Sequence, residues 1–141
     1  MEDEWEGRWK VNSDLDGSLS LPFVDSAQRP DLVMINEEAR KIKLVELTVC
    51  WEDNIDDAHE RKMRRYDDLT ETYILEGFDA ECITIEIGAR GFIGHRLLTL
   101  LRRLRMPPRN IKQLTNENQK KVEECSYWIW LKRNDATWVD E

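Results

Sequence analysis

The chain has 141 residues, of which 40 % are apolar and 35 % are charged, and it carries a net charge of −8. This composition is too apolar for a disordered chain and too charged for a membrane span, and the length matches one folded domain over residues 1–141. The acidic start is unlike a signal peptide, and three widely spaced cysteines form no C-x-x-C pair, so we expect an intracellular protein with reduced thiols and no membrane partner.

The first predicted elements are short strands. Residues 8–24 hold two alternating stretches, RWKV and SLSLPF, and the turn-forming residues between them predict a hairpin that extends the domain over residues 1–28. After Pro30, the apolar runs DLVMI and IKLVELTV enclose the polar turn EEARK. These two runs predict adjacent antiparallel strands, which begin a core region over residues 29–88.

A helix and a further strand complete that core region. Asp53 or Asn54 can cap a helix that ends near Leu75, because Gly77 follows directly. The strictly alternating run ECITIEI then predicts a half-buried strand that ends at Gly88. The alternation of strands and helices indicates an α/β protein with a mixed sheet flanked by helices.

Residues 89–141 are predicted to form a basic helix, a second helix and a final strand. The basic helix runs from about Ile93 to Arg105, where two prolines stop it, and the second helix begins near Asn110. The run YWIWLKR predicts the last strand, because five consecutive apolar residues are typical of a buried strand. The alternative is that its aromatic side chains form a platform on which nucleic-acid bases stack.

Basic side chains are concentrated in one part of the chain. Residues 87–116 contain no acid and seven Lys or Arg, whereas residues 1–28 contain seven acids and two basic residues. The turn GARGFIG, residues 88–94, could bring backbone N–H groups close to a phosphate, but tight packing explains its glycines equally well. The basic helix presents arginines off its leucine stripe, either to nucleic acid or only to solvent. The candidate nucleic-acid-binding residues are Arg90, Arg96, Arg102 and Arg103.

Two carboxylates on neighbouring predicted strands form the candidate catalytic site. Asp31 begins one strand, and Glu46, separated from it by fourteen residues, interrupts the apolar run of the next. Magnesium takes oxygen ligands and needs only one or two protein carboxylates, so this pair forms half of a magnesium site. Lys62 lies in the apolar stripe of the following helix and would meet the carboxylates, either to stabilise transition-state charge or only to pair with Glu46.

The segments RPDLV, LVELTV and WEDNIDDAHERKMRRY, with EIGARGFIG and SYWIWLKR, resemble a known family. It is the restriction-like endonuclease domain at the C-terminal end of certain non-LTR retrotransposon proteins, within the PD-(D/E)XK nuclease superfamily. The resemblance implies a restriction-endonuclease-like core and a divalent metal, Mg²⁺ or Mn²⁺, held by Asp31, Glu46 and the carbonyl of Leu47. Where the superfamily pattern has its lysine, this chain has Thr48; the retrotransposon branch resembles this chain in moving the lysine to the following helix, at Lys62.

The resemblance implies a nuclear, metal-dependent DNA endonuclease that hydrolyses phosphodiester bonds to prime reverse transcription. Its partners would be DNA and the reverse-transcriptase parts of a larger polypeptide. Because the chain contains no reverse transcriptase or zinc knuckle, we expect a detached fragment, a remnant or a reused domain. The alternative is a catalytically inactive nuclease-fold module that binds DNA or a protein partner through its basic helix.

Overall fold

The computed structural model describes residues 3–134, which form one four-stranded mixed sheet and three α-helices. The strands, in the sheet order β1-β2-β3-β4, are β1 (Lys10–Ser13), β2 (Leu32–Asn36), β3 (Lys41–Cys50) and β4 (Asp79–Gly88). The helices are α1 (Ile55–Leu75), α2 (His95–Arg103) and α3 (Pro108–Lys132). The predicted α/β class is confirmed. None of the helices formed by the described residues is long and apolar enough to cross a membrane.

The predicted antiparallel strand pair is confirmed as β2 and β3. Leu32 pairs with Val45, and Asn36 pairs with Lys41 at the turn. The backbone N–H of Ala39 donates to the side-chain oxygen of Asn36 at 3.0 Å, which closes this turn. An amide side chain that binds its own turn in this way favours a tight reversal. The register that follows from this turn decides which residues of the two strands face each other.

The predicted N-terminal hairpin is wrong in its second half. Its first stretch forms β1, which pairs antiparallel with β2, but residues 18–24 are not a strand. Asp14 accepts a hydrogen bond from the backbone N–H of Leu19 at 2.9 Å, and Asp16 accepts one from Ser18 at 3.1 Å. Carboxylates that bind nearby backbone donors compete with strand pairing. The apolar side chains of this stretch pack against the core instead.

The described residues divide into two compact units. The first unit runs up to Thr48 and includes Asp56–Ile85. Its core packs one face of the β2 and β3 strands against the apolar stripe of α1, where buried side chains recur at helical spacing. The core side chains are Val33, Ile35, Ile42, Leu44, Tyr66, Leu69, Tyr73 and Phe78.

The second unit comprises Val49–Ile55 and the described residues from Glu86 onwards. Helix α2 buries three leucines, and α3 begins at Pro108, in the first turn where proline's missing N–H costs nothing. The final strand predicted for YWIWLKR is wrong, because α3 continues through this run to Lys132. No proline or glycine interrupts the run before it, so a helix already formed extends at little cost.

Candidate functional site

The strand register brings the two predicted carboxylates together. Because Leu32 pairs with Val45, Asp31 lies opposite Glu46 at the end of the β2–β3 pair. The backbone N–H of Asp31 donates to Glu46 Oε2 at 3.2 Å, and the N–H of Leu47 donates to Asp31 Oδ2 at 2.7 Å. The backbone N–H of Asp31 thus orients the Glu46 carboxylate, and the backbone N–H that follows Glu46 orients the Asp31 carboxylate.

The two carboxylates differ in their access to solvent. Glu46 is only 4 % exposed, whereas Asp31 is exposed. Lys62 Nζ, from α1, donates to Glu46 Oε1 at 2.5 Å, so the predicted lysine meets the site. A buried carboxylate without a cation would be strongly destabilising, and Lys62 removes that cost. The three residues form what we call the carboxylate–lysine site.

The donor atoms at this site suit a magnesium-type ion. Asp31 Oδ1 receives no hydrogen bond from any described residue, which leaves its lone pairs available. No group of three or more His, Cys, Asp or Glu that could hold a metal occurs within residues 3–134. Two carboxylates would be too few for a structural zinc centre, but they match Mg²⁺, which keeps several waters.

Neighbouring titratable groups respond to burial and to the charge of Glu46. Burial, followed by the negative charge of Glu46, raises the pKa of the Cys82 thiol to about 11. The same two causes, in the same order, raise the pKa of the Tyr66 hydroxyl far above its usual range. The Tyr66 hydroxyl donates to the carbonyl of Arg29 at 3.0 Å. Both groups are therefore protonated at neutral pH, and neither can serve as a nucleophile there.

Two polar groups near the site were not singled out as functional by the sequence. The Thr48 hydroxyl, two residues after Glu46 in β3, is buried without a hydrogen-bond partner. His59 Nδ1, one turn of α1 before Lys62, lies 2.5 Å from the hydroxyl of Thr84 in β4. Strand alternation gives a signal for Thr48, because it shares a face with Glu46, but its lack of a partner depends on tertiary packing.

The glycine turn holds a carboxylate of the protein itself. The backbone N–H of Arg90 donates to Glu52 Oε1 at 2.9 Å. A Cβ at Gly88 would lie 2.5 Å from that same oxygen, and one at Gly91 would lie 2.7 Å from the carbonyl oxygen of Gln119. Close packing therefore accounts for these two glycines, which was one of the two interpretations of the sequence. The Arg90 guanidinium lies over the exposed Trp51 ring, 5.7 Å from its centroid.

Only part of the predicted basic surface of α2 is exposed to solvent. Arg96 does not face outward as predicted, because its Nη1 lies 3.4 Å from Glu86 Oε2, and Glu86 is 1 % exposed. A carboxylate so deeply buried is costly without a cation, and Arg96 supplies one. Arg102 is exposed and Arg103 is half-buried, both in the last turn of α2. There they also interact favourably with the helix dipole.

The aromatic side chains near the end of α3 are exposed, not buried as predicted. The rings of Tyr127 and Trp130 stack with centroids 6.2 Å apart and planes 14° apart. Lys132 Nζ lies 5.1 Å from the Trp128 ring, and the Arg133 guanidinium lies 4.0 Å from the Trp130 ring. The turn spacing of a helix therefore places aromatic rings and cations together on an accessible surface.

Comparisons of the chain with models of protein families, with curated proteins and with solved structures give no match. The case for function therefore depends on the residues and geometry of this chain. The strongest grouping is the carboxylate–lysine site, in which Lys62 binds Glu46 and backbone hydrogen bonds tie the ends of the strands that carry Asp31 and Glu46.

Proposed function

We propose that the chain is a divalent-metal-dependent endonuclease domain that hydrolyses phosphodiester bonds of DNA. The single observation that supports this proposal most is that Glu46 of β3 accepts hydrogen bonds both from Asp31, directly before β2, and from Lys62 of α1. An acid on each of two neighbouring strands and a lysine on the next helix agree with the resemblance to restriction-like retrotransposon endonucleases. A restriction-endonuclease-like core is part of the proposal.

Each residue of the site has a distinct role in this proposal. Asp31 and Glu46 would hold Mg²⁺ or Mn²⁺ through their carboxylate oxygens, with the Leu47 carbonyl as a further oxygen ligand. When bound, the ion would supply a hydroxide nucleophile and stabilise charge on the phosphoryl oxygen. Lys62 neutralises Glu46 and keeps an ammonium group at the site, where it would stabilise the negative charge that develops during hydrolysis.

The proposed partners follow from the substrate. DNA would be bound in the nucleus, and the reverse-transcriptase parts of a larger polypeptide would supply affinity that this acidic chain lacks. With a net charge of −8, the chain alone should bind DNA weakly, because phosphates and acidic side chains repel each other. Cleavage by the isolated chain should therefore be tested at low salt and high protein concentration.

The test is nicking of supercoiled plasmid with Mg²⁺ or Mn²⁺, with EDTA as the first control. Glu46→Gln and Asp31→Asn should abolish nicking while the proteins remain folded by circular dichroism. Asp68→Asn is the matched control, since it removes one carboxylate from an exposed position of α1 and should cut like the parent. The proposal fails if a folded parent does not nick DNA under any of these conditions, or if both site variants still do.

A second candidate function is a binding module without catalysis. The observation that favours it is the accessible surface formed by Tyr127, Trp128 and Trp130 with their neighbouring cations, together with the exposed Arg102. Such a module would bind DNA in a salt-dependent way and cleave nothing. Charge reversal by Arg102→Glu and Arg103→Glu should weaken that binding. Salt-independent or absent DNA binding would leave only a protein partner or no function for this module.

A further inference from the structure

A small cavity lies in the second unit, where the segment after β3 meets the glycine turn. It measures about 290 Å³, and its lining residues are Trp51, Glu52, Asp53 and Arg90. Trp51 comes directly after β3 and is 59 % exposed, although a tryptophan ring gains stability when it is buried. Small-molecule sites measure about 300–1,000 Å³, so this cavity suits one ring system and not a larger cofactor.

Two opposite charges line this cavity without neutralising each other. Among residues 3–134, the Asp53 carboxylate has no hydrogen-bond or ion-pair partner, and the Arg90 guanidinium donates no hydrogen bond. Both residues are exposed, so water solvates their charges. Glu52 is already engaged, because its Oε1 accepts from the backbone N–H of Arg90 at 2.9 Å. The cavity therefore presents one free carboxylate and one free guanidinium.

The guanidinium and the indole ring are arranged as a stacking surface. The Arg90 guanidinium lies 5.7 Å from the centroid of the Trp51 ring, a cation–π contact that restrains both groups. Indole rings and guanidinium planes are the two protein surfaces on which an unpaired nucleic-acid base stacks. Since the ring remains largely exposed, it is accessible to such a base.

The charges beside the ring define the kind of base. An uncharged ring with both donors and acceptors matches them, whereas a charged ligand would be repelled by one of the two groups. Guanine offers two bonds to each: its O6 and N7 accept from a guanidinium, and its N1–H and amino group donate to a carboxylate. Thymine has no amino group, and in duplex DNA the N1–H of guanine is already paired. An unpaired guanine is therefore the best match.

We propose that this cavity binds an unpaired guanine base of single-stranded DNA, with the base stacked on Trp51, Arg90 donating to O6 and N7, and Asp53 accepting from N1–H and the amino group. The inference adds a base-binding site to the proposed function, on which it rests for the choice of DNA. A free guanine nucleotide matches less well, because its phosphate would meet two carboxylates and a guanidinium that the base already uses.

The test measures affinity for short, labelled single strands of thymine with one variable central base. Fluorescence anisotropy at low salt in EDTA excludes any metal-dependent cleavage. The parent should bind the strand with central guanine about 10-fold more tightly than strands with thymine, adenine or cytosine there. Trp51→Ala should weaken binding of the guanine strand about 10-fold, because the stacking surface is lost. Phe92→Ala is the matched control, since Phe92 is 55 % exposed in the same unit and does not line the cavity.

Substitution of Asp53 should change the two affinities in opposite directions. Asp53→Asn should weaken binding of the guanine strand, because an acceptor is lost, and should strengthen binding of the all-thymine strand, because one negative charge fewer repels phosphates. Asp57→Asn removes the same charge from an exposed position of α1 and should show the second effect alone. For Arg90, 7-deazaguanine lacks the N7 acceptor and should bind about 3-fold more weakly than guanine to the parent, but equally to Arg90→Met.

Equal affinity of the parent for all four strands, or binding of none, overturns the proposal. So does a guanine preference that persists in both Trp51→Ala and Asp53→Asn, with each variant folded by circular dichroism. Guanosine monophosphate that binds as tightly as the guanine strand would refute DNA as the ligand.

The same assay separates this inference from the proposed function. Glu46→Gln should keep the guanine preference, because Glu46 does not line the cavity. A parent that nicks plasmid without a guanine preference would refute the base site and leave the nuclease. A parent with the preference that nicks no plasmid would refute the nuclease and support the base site.

Discussion

Two buried glutamates of this protein each contact a cation from the helix that follows their strand. Glu46 in β3 binds Lys62 of α1 at 2.5 Å, and Glu86 in β4 lies 3.4 Å from Arg96 of α2. The first glutamate has the exposed Asp31 carboxylate next to it, and the second is 1 % exposed. A buried ion pair alone is weak support for function, since structural pairs look the same. Asp31 is the residue that turns the first pair into a candidate site.

The largest expected effect is the difference between substituting the two glutamates. Glu46→Gln should reduce plasmid nicking on the order of 10³-fold or more, because a ligand of the metal is lost. Glu86→Gln should cut normally but unfold more easily, by about 2 kcal/mol, because Arg96 loses its charged partner. Nicking rates and urea denaturation of both variants provide the measurement. Equal loss of nicking in both variants would show that the Glu46–Lys62 pair is no more functional than the Glu86–Arg96 pair.

Removal of Lys62 should affect both activity and stability. Lys62→Met should lower the nicking rate about 10²-fold, since an ammonium group no longer stabilises the developing charge. It should also lower the free energy of unfolding by about 2 kcal/mol, less than for a fully dry pair because the Lys62 side chain is 19 % exposed. Single-turnover rates at saturating DNA separate the first effect from weaker binding. A variant that loses only stability would show that Lys62 is a structural partner of Glu46.

The sequence predicts those features of the site that follow from short-range patterns, namely a turn between two strands and the spacing of residues along one helix. A polar turn between two apolar runs fixes the β2–β3 register, and that register sets Asp31 opposite Glu46. Helical spacing then puts Lys62 in the stripe that contains Tyr66 and Tyr73, which the structure confirms. Local pattern and tertiary contact agree here, but the contact of Lys62 with Glu46 was predicted only on the condition that α1 packs over β3.

The errors fall where distant contacts decide the outcome. Arg96 lies off the leucine stripe and was predicted to face outward, but its position depends on the buried Glu86, ten residues earlier. The aromatic run at 127–131 is too short for its period to distinguish strand from helix, and the preceding helix extends through it. The unpaired hydroxyl of Thr48 cannot be read from sequence, because it depends on which groups the fold brings within reach.

A smaller effect is a loss of folding stability at alkaline pH, in the unit that contains Glu46. The pKa of Cys82 is raised to about 11 in the folded protein, first by burial and then by Glu46. A raised pKa stabilises the protonated form, so this contribution is present at neutral pH and is lost as the pH rises from about 9 to about 11. With discount for partial exposure, urea denaturation should reveal a decrease of about 1 kcal/mol that Cys82→Ala removes. Because the pKa of Tyr66 is also raised, its deprotonation lowers the free energy of unfolding in the same direction.

The same thiol reports on the charge of Glu46. In Glu46→Gln the negative charge is gone, so the pKa of Cys82 should fall towards its usual value while burial still keeps it raised. In Glu86→Gln the pKa of Cys82 should stay as it is in the parent. The pH dependence of thiol alkylation, followed at Cys82 by mass spectrometry, measures both variants. An unchanged Cys82 profile in Glu46→Gln would mean that the Glu46 charge is not felt at the thiol.

The smallest expected effect concerns DNA affinity in the second unit. Arg102 is exposed on α2, and its removal should cost one phosphate contact, so Arg102→Ala should weaken DNA binding about 3-fold. The dependence of affinity on salt should become shallower, while the cleavage rate at saturating DNA stays the same. Arg96→Ala is the matched control: it removes the same charge from the same helix, but its main effect should be on stability because it pairs with Glu86. If Arg96→Ala weakens DNA binding as much as Arg102→Ala without loss of stability, Glu86 does not sequester Arg96, and the contrast between the two buried pairs must be abandoned.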